Sequence, residues 1–175
     1  MRKANWLIAG AACVASVAVF AADDNNAMKQ AQDRADIEAL MWRYVRALDS
    51  LDAAGYAAVF TEDGTFASGS AQEHGRAELS KMVEGLKKGR ADREAKGEKN
   101  PPMYHVIANH TIEFVGPNEA RYHSYWMTVF GAVGQDVPTR VAAAGRGVDT
   151  LVRVNGQWLI KSRDVRSEEH TSELQ

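Results

Sequence analysis

The stretch MYHVIANHTIEF, residues 103–114, places two imidazoles, His105 and His110, in a run rich in valine, isoleucine, tyrosine, threonine and phenylalanine. An imidazole can shuttle a proton near neutral pH or ligate a metal. A helical metal pair needs i, i+4 spacing to bring both rings to one face, and a separation of five does not provide it. In a strand, an odd separation sends two side chains to opposite faces unless a bulge adds a residue. At most one of these histidines is therefore expected to face any given pocket, and no metal site is expected. Strict alternation groups Tyr104, Val106, Ala108, His110, Ile112 and Phe114 on one apolar face, which favours His110 as the inward ring.

A proton-shuttling imidazole works best beside a carboxylate that fixes its tautomer. Asp49 lies at the edge of an apolar helical stripe, about 40° round from Val45 at about 100° per residue. It also lies near the helix C-terminus, where the dipole disfavours a carboxylate. Unless solvated, it needs a donor, which an imidazole could supply; a plain inter-helix turn with Ser50 and Asp52 accounts for it equally well. Tyr44 stands mid-stripe, so its hydroxyl points inward and needs a partner. Further along, Tyr122, Ser124, Trp126, Thr128 and Phe130 share one strand face, opposite His123, Tyr125 and Met127. Trp126 or Tyr125 could wall a flat apolar ligand, or serve core and interface instead. By parity Arg146 and Asp149 face opposite ways, and Arg140, Arg153 and Arg163 are cross-strand partners open to Asp149.

Positioning these groups requires a long helix and a sheet. Ile37, Leu40, Met41, Tyr44, Val45 and Leu48 recur at helical spacing, predicting an amphipathic helix from Ala27 to about Ser50. A break at Leu51 follows, with Asp52 capping a short helix that buries Tyr56, Val59 and Phe60. TEDGTFASGS reads as a turn and a short extended piece. HGRAELSKMVEGLKKG reads as a third helix with Leu79, Met82, Val83 and Leu86 on one side. The charged KKGRADREAKGEKNPP reads as a solvated loop or frayed helix end. After Pro102 the period changes to two, giving strands at Tyr104 to Val115, Glu119 to Ala132, Thr139 to Val154 and Gln157 to Val165. VGPNE is a turn, and RVNGQW is an Asn-Gly hairpin. Helices at the front and consecutive strands behind imply an α+β domain with helices on one sheet face, able to leave a cavity between them.

The ends and the composition bound the rest. MRKANWLIAGAACVASVAVFAADDNN has a basic start, an apolar run and small residues, the pattern of a secretory signal peptide over residues 1–21, cleaved after Ala21. A periplasmic or secreted chain is expected, free of the membrane after cleavage, with a flexible lead over residues 22–32 and the domain proper over residues 33–165. The single cysteine, Cys13, lies in that signal, which excludes disulfides and thiol catalysis from the exported chain. RSEEHTSELQ, residues 166–175, has the translation of a common sequencing adapter (AGA TCG GAA GAG CAC ACG TCT GAA CTC CAG) and is expected to be non-native. The formal net charge of −2 lacks the basic excess of a nucleic-acid binder.

The segments IEALMWRYVRALDSLDAAGYAAVFTEDGTF, HGRAEL, YHVIANHTIEFVG, EARYHSYWMTV and AGRGVDTLVRVNGQWLIKSRDV, in that order, resemble the SnoaL-like branch of the nuclear transport factor 2-like superfamily, from Asp33 to Val165. The resemblance implies a cone-shaped, curved antiparallel sheet wrapped around a long N-terminal helix. It also implies an apolar pocket between them, and often a homodimer through the outer sheet face. Ketosteroid isomerase and scytalone dehydratase belong to that superfamily, as do many domains without known catalysis, so fold alone decides little. Tyr44, in RYVRAL, stands where the isomerase carries its enolate-binding tyrosine, and Asp149 resembles the position of its acidic oxyanion donor. Ser68 replaces the isomerase's catalytic aspartate, which disfavours that mechanism.

The resemblance to the dehydratase assigns Asp49 and His105 to its aspartate and first histidine. Val129 falls near its second histidine, and Gly145 and Gly147 fall near its serine and asparagine, so half of the dehydratase apparatus is absent from this chain. The resemblance thus prefers His105 to His110, and a bulge near Ala108 or Asn109 would be needed to keep Ile112 and Phe114 packed. Taken together, these readings predict a cofactor-free acid/base enzyme, a dehydratase, isomerase or hydrolase, acting on a small hydrophobic or polyketide-like molecule. Asp49, His105 and Tyr44 are the candidate catalytic residues. Trp126, Tyr125, Ser68, Asp149 and His110 are the candidate substrate contacts. The competing readings are a non-catalytic module for a small hydrophobic ligand and a dimerising assembly domain.

Overall fold

The computed structural model describes residues 9–135 and 137–167, with side chains for residues 25–135 and 137–165. Residues 1–8 of the signal-peptide reading and 168–175 of the adapter reading lie outside the described residues, and of residues 9–21 and 166–167 only the backbone is described. The chain forms two units, one ending at Ile37 and one beginning at Glu38. In the first the described residues, 9–37, are helical, with a Lys29 to Asp33 ion pair of 3.0 Å one turn apart. Helix α1 (Ala9–Asp49) therefore starts well before Ala27 and continues through the stretch expected to be a flexible lead. Among the described residues no helix is long and apolar enough to cross a membrane.

In the second unit, the stripe residues Leu40, Met41, Tyr44, Val45 and Leu48 are all buried. The helix ends where Leu51 enters the left-handed region at φ 56. There Leu51 N–H donates to the Leu48 carbonyl and Asp52 N–H to the Ala47 carbonyl, the two bonds of a Schellman cap. Leucine is an expensive residue at positive φ, but here its side chain is buried. Asp52 then caps α2 (Ala53–Ala58) by accepting from Gly55 N–H at 3.0 Å. This stop makes Asp49 the last residue of α1 and fixes the direction of its carboxylate.

The next strands are more numerous than expected. Phe60 opens β1 (Phe60–Ser68), which turns into β2 (Ala71–His74). Helix α3 (Gly75–Ala95) follows, docked on β1 by Arg76, whose guanidinium donates to the Phe60 carbonyl at 2.7 Å and 3.0 Å. The segment expected to fray remains helical to Ala95, because Asn100 folds back onto Arg90 and Arg93 and Gly97, at φ 77, terminates the helix. Strands β3 (Met103–Gly116), β4 (Glu119–Phe130), β5 (Arg140–Val154) and β6 (Gln157–Ser167) complete a curved six-stranded sheet of order β2-β1-β6-β5-β4-β3. β1 runs parallel to β6 and every other pair is antiparallel. Asn155 and Gly156, at φ 50 and φ 81, form the expected hairpin turn. The architecture is the expected α+β class.

Two packing features position the site. Tyr44, Tyr56 and Phe60 form an aromatic cluster with centroid separations of 5.2 to 6.2 Å, tying α1 to α2 and β1. In β3 the pairing with β4 steps from Ala108↔Tyr125 to Thr111↔His123, so β3 carries one extra residue there. Asn109 sits in that bulge at φ 48. The insertion reverses the alternation, so that Ile112 packs inward at 5% exposure while Tyr104, before the bulge, is half exposed.

Candidate functional site

The end of α1 and the start of β3 bring Asp49 against His105. Asp49 Oδ1 accepts two hydrogen bonds from the same residue, from His105 N–H at 2.9 Å and from the ring Nδ1 at 2.7 Å. A carboxylate only accepts, so Nδ1 carries the proton and Nε2 is left with its lone pair. Both side chains are about one-fifth exposed, at 23% and 20%, which reduces solvent screening yet leaves a path for protons.

Two neighbouring cavities share His105 and Ile107 in their walls. The smaller, about 240 Å³, is bounded by Tyr44, Ser68, Trp126, Thr128 and Arg163 as well. The larger, about 350 Å³, runs from His105 to His110 past Met41, Val45 and Tyr122. The expectation that one pocket could hold only one of the two histidines is overturned, because the Asn109 bulge returns His110 to the inner side. His110 stacks on Tyr122 at 5.1 Å and 15°, and its Nε2 lies 3.3 Å from Glu38 Oε1.

Tyr44 is 3% exposed, with the Arg163 guanidinium carbon 4.4 Å from its ring centre. Trp126 lines the smaller cavity, its indole N–H held by the Arg146 carbonyl at 3.1 Å. Tyr125 does not line it: it points to the opposite sheet face and is 54% exposed, as alternation along β4 requires. Asp149 is not a wall residue of either cavity. It is fully buried behind Arg163, its cross-strand neighbour and ion-pair partner. Burial raises its pKa to about 6, and Arg163 offsets that only in part. For Arg163 burial opposes the charge, but Asp149, Tyr44 and Tyr56 more than compensate and raise its pKa.

The sequence suggests Arg163 only as a partner for Asp149, yet it brings a buried cation to the cavity wall beside Tyr44. Glu38 was not singled out at all. Its signal was available: eleven residues before Asp49 is about 20° off three full helical turns, so the two carboxylates share a face of α1. Among the described residues there is no group of three or more His, Cys, Asp or Glu arranged to hold a metal. The arrangement can do proton chemistry: a base at His105 Nε2 and, across the smaller cavity, a phenol and a cation suited to an oxygen that gains negative charge.

Residues 29–164 match the profile of a family described as SnoaL-like domain. Among solved structures, a candidate scytalone dehydratase from Novosphingobium aromaticivorans is 26% identical, with a TM-score of 0.65 over 81% of this chain and 87% of that one. An NTF2-like protein with a cystatin-like fold from the same organism is 20% identical, with a TM-score of 0.69 over 85% and 90%. ActVI-ORFA of Streptomyces coelicolor is 24% identical, with a TM-score of 0.64 over 78% and 98%. No curated protein matches.

Proposed function

The chain belongs to the SnoaL-like domain family, and from that premise we propose that it is a cofactor-free acid/base enzyme that dehydrates a small hydrophobic, polyketide-like molecule. The observation that carries the reading is the double acceptance by Asp49 Oδ1 from His105, which orients one basic ring nitrogen. In the reaction, His105 Nε2 takes the proton on the carbon next to a carbonyl, and the carbonyl oxygen becomes enolate-like. Tyr44 donates to that oxygen and Arg163 adds positive potential. The protonated ring, steadied by Asp49, returns its proton to the departing hydroxyl. Water leaves, a carbon–carbon double bond forms, and the base is regenerated. The 26% identity to a candidate scytalone dehydratase favours dehydration over isomerisation or hydrolysis, and Ser68, standing at the cavity wall where an isomerase base would be needed, points the same way.

We assign Trp126 to the aromatic wall of the substrate site. We further propose export to the periplasm or medium, supported by the basic start and apolar run of residues 1–21. A homodimer through the outer sheet face is supported by the exposure there of Tyr104, Val106, Tyr125 and Val148. The test of the main proposal is to incubate the chain with a beta-hydroxy tetralone and follow naphthol absorbance as water is lost. Turnover that disappears in His105→Gln supports it. Tight binding without turnover would replace it with the ligand-binding reading.

A further inference from the structure

We propose that the larger cavity is a recognition subsite in which Glu38 and His110 grip a neutral hydroxyl group at one end of a flat apolar ligand. The proposal rests on the preceding reading only for the direction in which the ligand lies, with its far end toward His105. The bulge at Asn109 is the first observation: one inserted residue, held at φ 48, places His110 on the cavity side. The second is that His110 is held in place there. Its ring lies 15° from parallel to Tyr122, and with His110 and Glu38 side chains 35% and 56% exposed a ligand can reach both from solvent. The third is the length of its contact to Glu38, 3.3 Å, long for a charge-assisted bond, which normally runs about 2.7 to 2.9 Å. The two groups are close enough to share one ligand atom and not so tightly bound to each other as to exclude it.

The chemistry of that pair selects the ligand group. A hydroxyl has one proton to give and lone pairs to accept with. It can donate to the Glu38 carboxylate while accepting from His110 Nε2–H. A ketone oxygen would satisfy the imidazole and leave the carboxylate unpaired, and an anion would be repelled by it. The remaining wall, with Met41, Val45, Ile107 and Trp42, offers apolar and aromatic surface for the body of the molecule. Glu38 and Asp49 are about 16 Å apart along α1 at about 1.5 Å per residue, so the gripped hydroxyl is remote from the reacting end. It serves to orient the ligand and to measure its length.

The experiment compares binding of naphthol and methoxynaphthalene to the full chain by tryptophan fluorescence. The wild type should prefer naphthol by about ten-fold, the worth of one retained hydrogen-bond set. Glu38→Leu, which removes the acceptor, should bring that ratio close to one with methoxynaphthalene binding unchanged, and His110→Phe, which keeps the stack on Tyr122, should weaken naphthol binding. Equal binding of both probes by the wild type, binding of neither, or a ratio untouched by both substitutions overturns the proposal. Asp49→Asn, which removes the carboxylate at the other end, should leave the ratio intact. Loss of turnover and loss of hydroxyl preference thus report separately on the two proposals.

Discussion

Replacing Asp49 by Asn isolates the charge of the dyad while keeping its shape. The asparagine carbonyl can still accept from His105 N–H, so the fold should lose little, on the order of 1 kcal/mol. What it cannot do is stabilise a protonated ring. Unit charges about 4 Å apart in a site of effective dielectric about 20 attract by about 4 kcal/mol, which is about three decades in rate. The ring and carboxylate are about one-fifth exposed, so screening trims this, and a fall in kcat of about 10² to 10³ is expected, within the usual range for acid/base assistance. A thermal melt controls for folding, and water loss from a beta-hydroxy tetralone reads the rate. A second readout needs no substrate: nitrogen NMR of His105 should find the proton on Nδ1 in the wild type and a mixed tautomer in the variant. A variant that turns over within a factor of about three of wild type, well short of the tenfold that each 1.4 kcal/mol represents, would refute the dyad.

Removing Asp149 alone, as Asp149→Leu, strands the buried Arg163 charge and should cost about 3 to 5 kcal/mol by denaturant titration, whereas Asp149→Leu with Arg163→Met should recover most of it; equal losses in the two variants would contradict this. The pH dependence of the same pair has a definite sign. With a folded pKa of about 6 against an unfolded value of about 3.9, the native state binds the extra proton between those limits. The stability this carboxyl contributes is therefore present below about pH 4 and lost as pH rises to about 6, by roughly 3 kcal/mol. Subtracting the double variant's stability curve from the wild type's should reveal that decline, and a flat or rising difference would disprove it. At the bulge, Asn109→Gly should be nearly neutral and Asn109→Val should cost about 1 to 2 kcal/mol, because Asn109 holds φ 48; chemical denaturation distinguishes the two.

Periodicity made the helices and four of the strands readable, because burial of one face is what selects those residues. The first two strands were compressed into a turn and a short extended piece, since β1 pairs with β6 about a hundred residues later and no local pattern announces a parallel partner. The charged end of α3 was misjudged because composition says nothing of Asn100 folding back to cap it. In the site, the resemblance singled out Asp49, His105 and Tyr44, and the chain folds them around a shared corner. Parity failed for His105 for a specific reason: with Ile112 and Phe114 packed inward, strict alternation turns His105 outward, and one left-handed asparagine shifts the register between them. That shift keeps His105 on the same inner side as His110. Arg163 was hidden because a cationic residue in a terminal strand reads as surface until its buried partner is placed.

Whether Asp49 is merely a turn residue can be argued from what a turn would require. A carboxylate at the last position of a helix is disfavoured by the dipole, by roughly 0.3 to 1 kcal/mol. One backbone N–H offered by β3 would offset that penalty, and an asparagine, free of the penalty, would accept the same bond. The second contact, to Nδ1 at 2.7 Å, adds nothing to the turn that the first does not supply. Its effect is on the ring: it fixes one tautomer, holds the ring in place, and leaves Nε2 basic at the wall that two cavities share. A carboxylate kept at an unfavourable helix position, with its charge directed at an imidazole, is the arrangement that proton transfer needs and that packing alone does not.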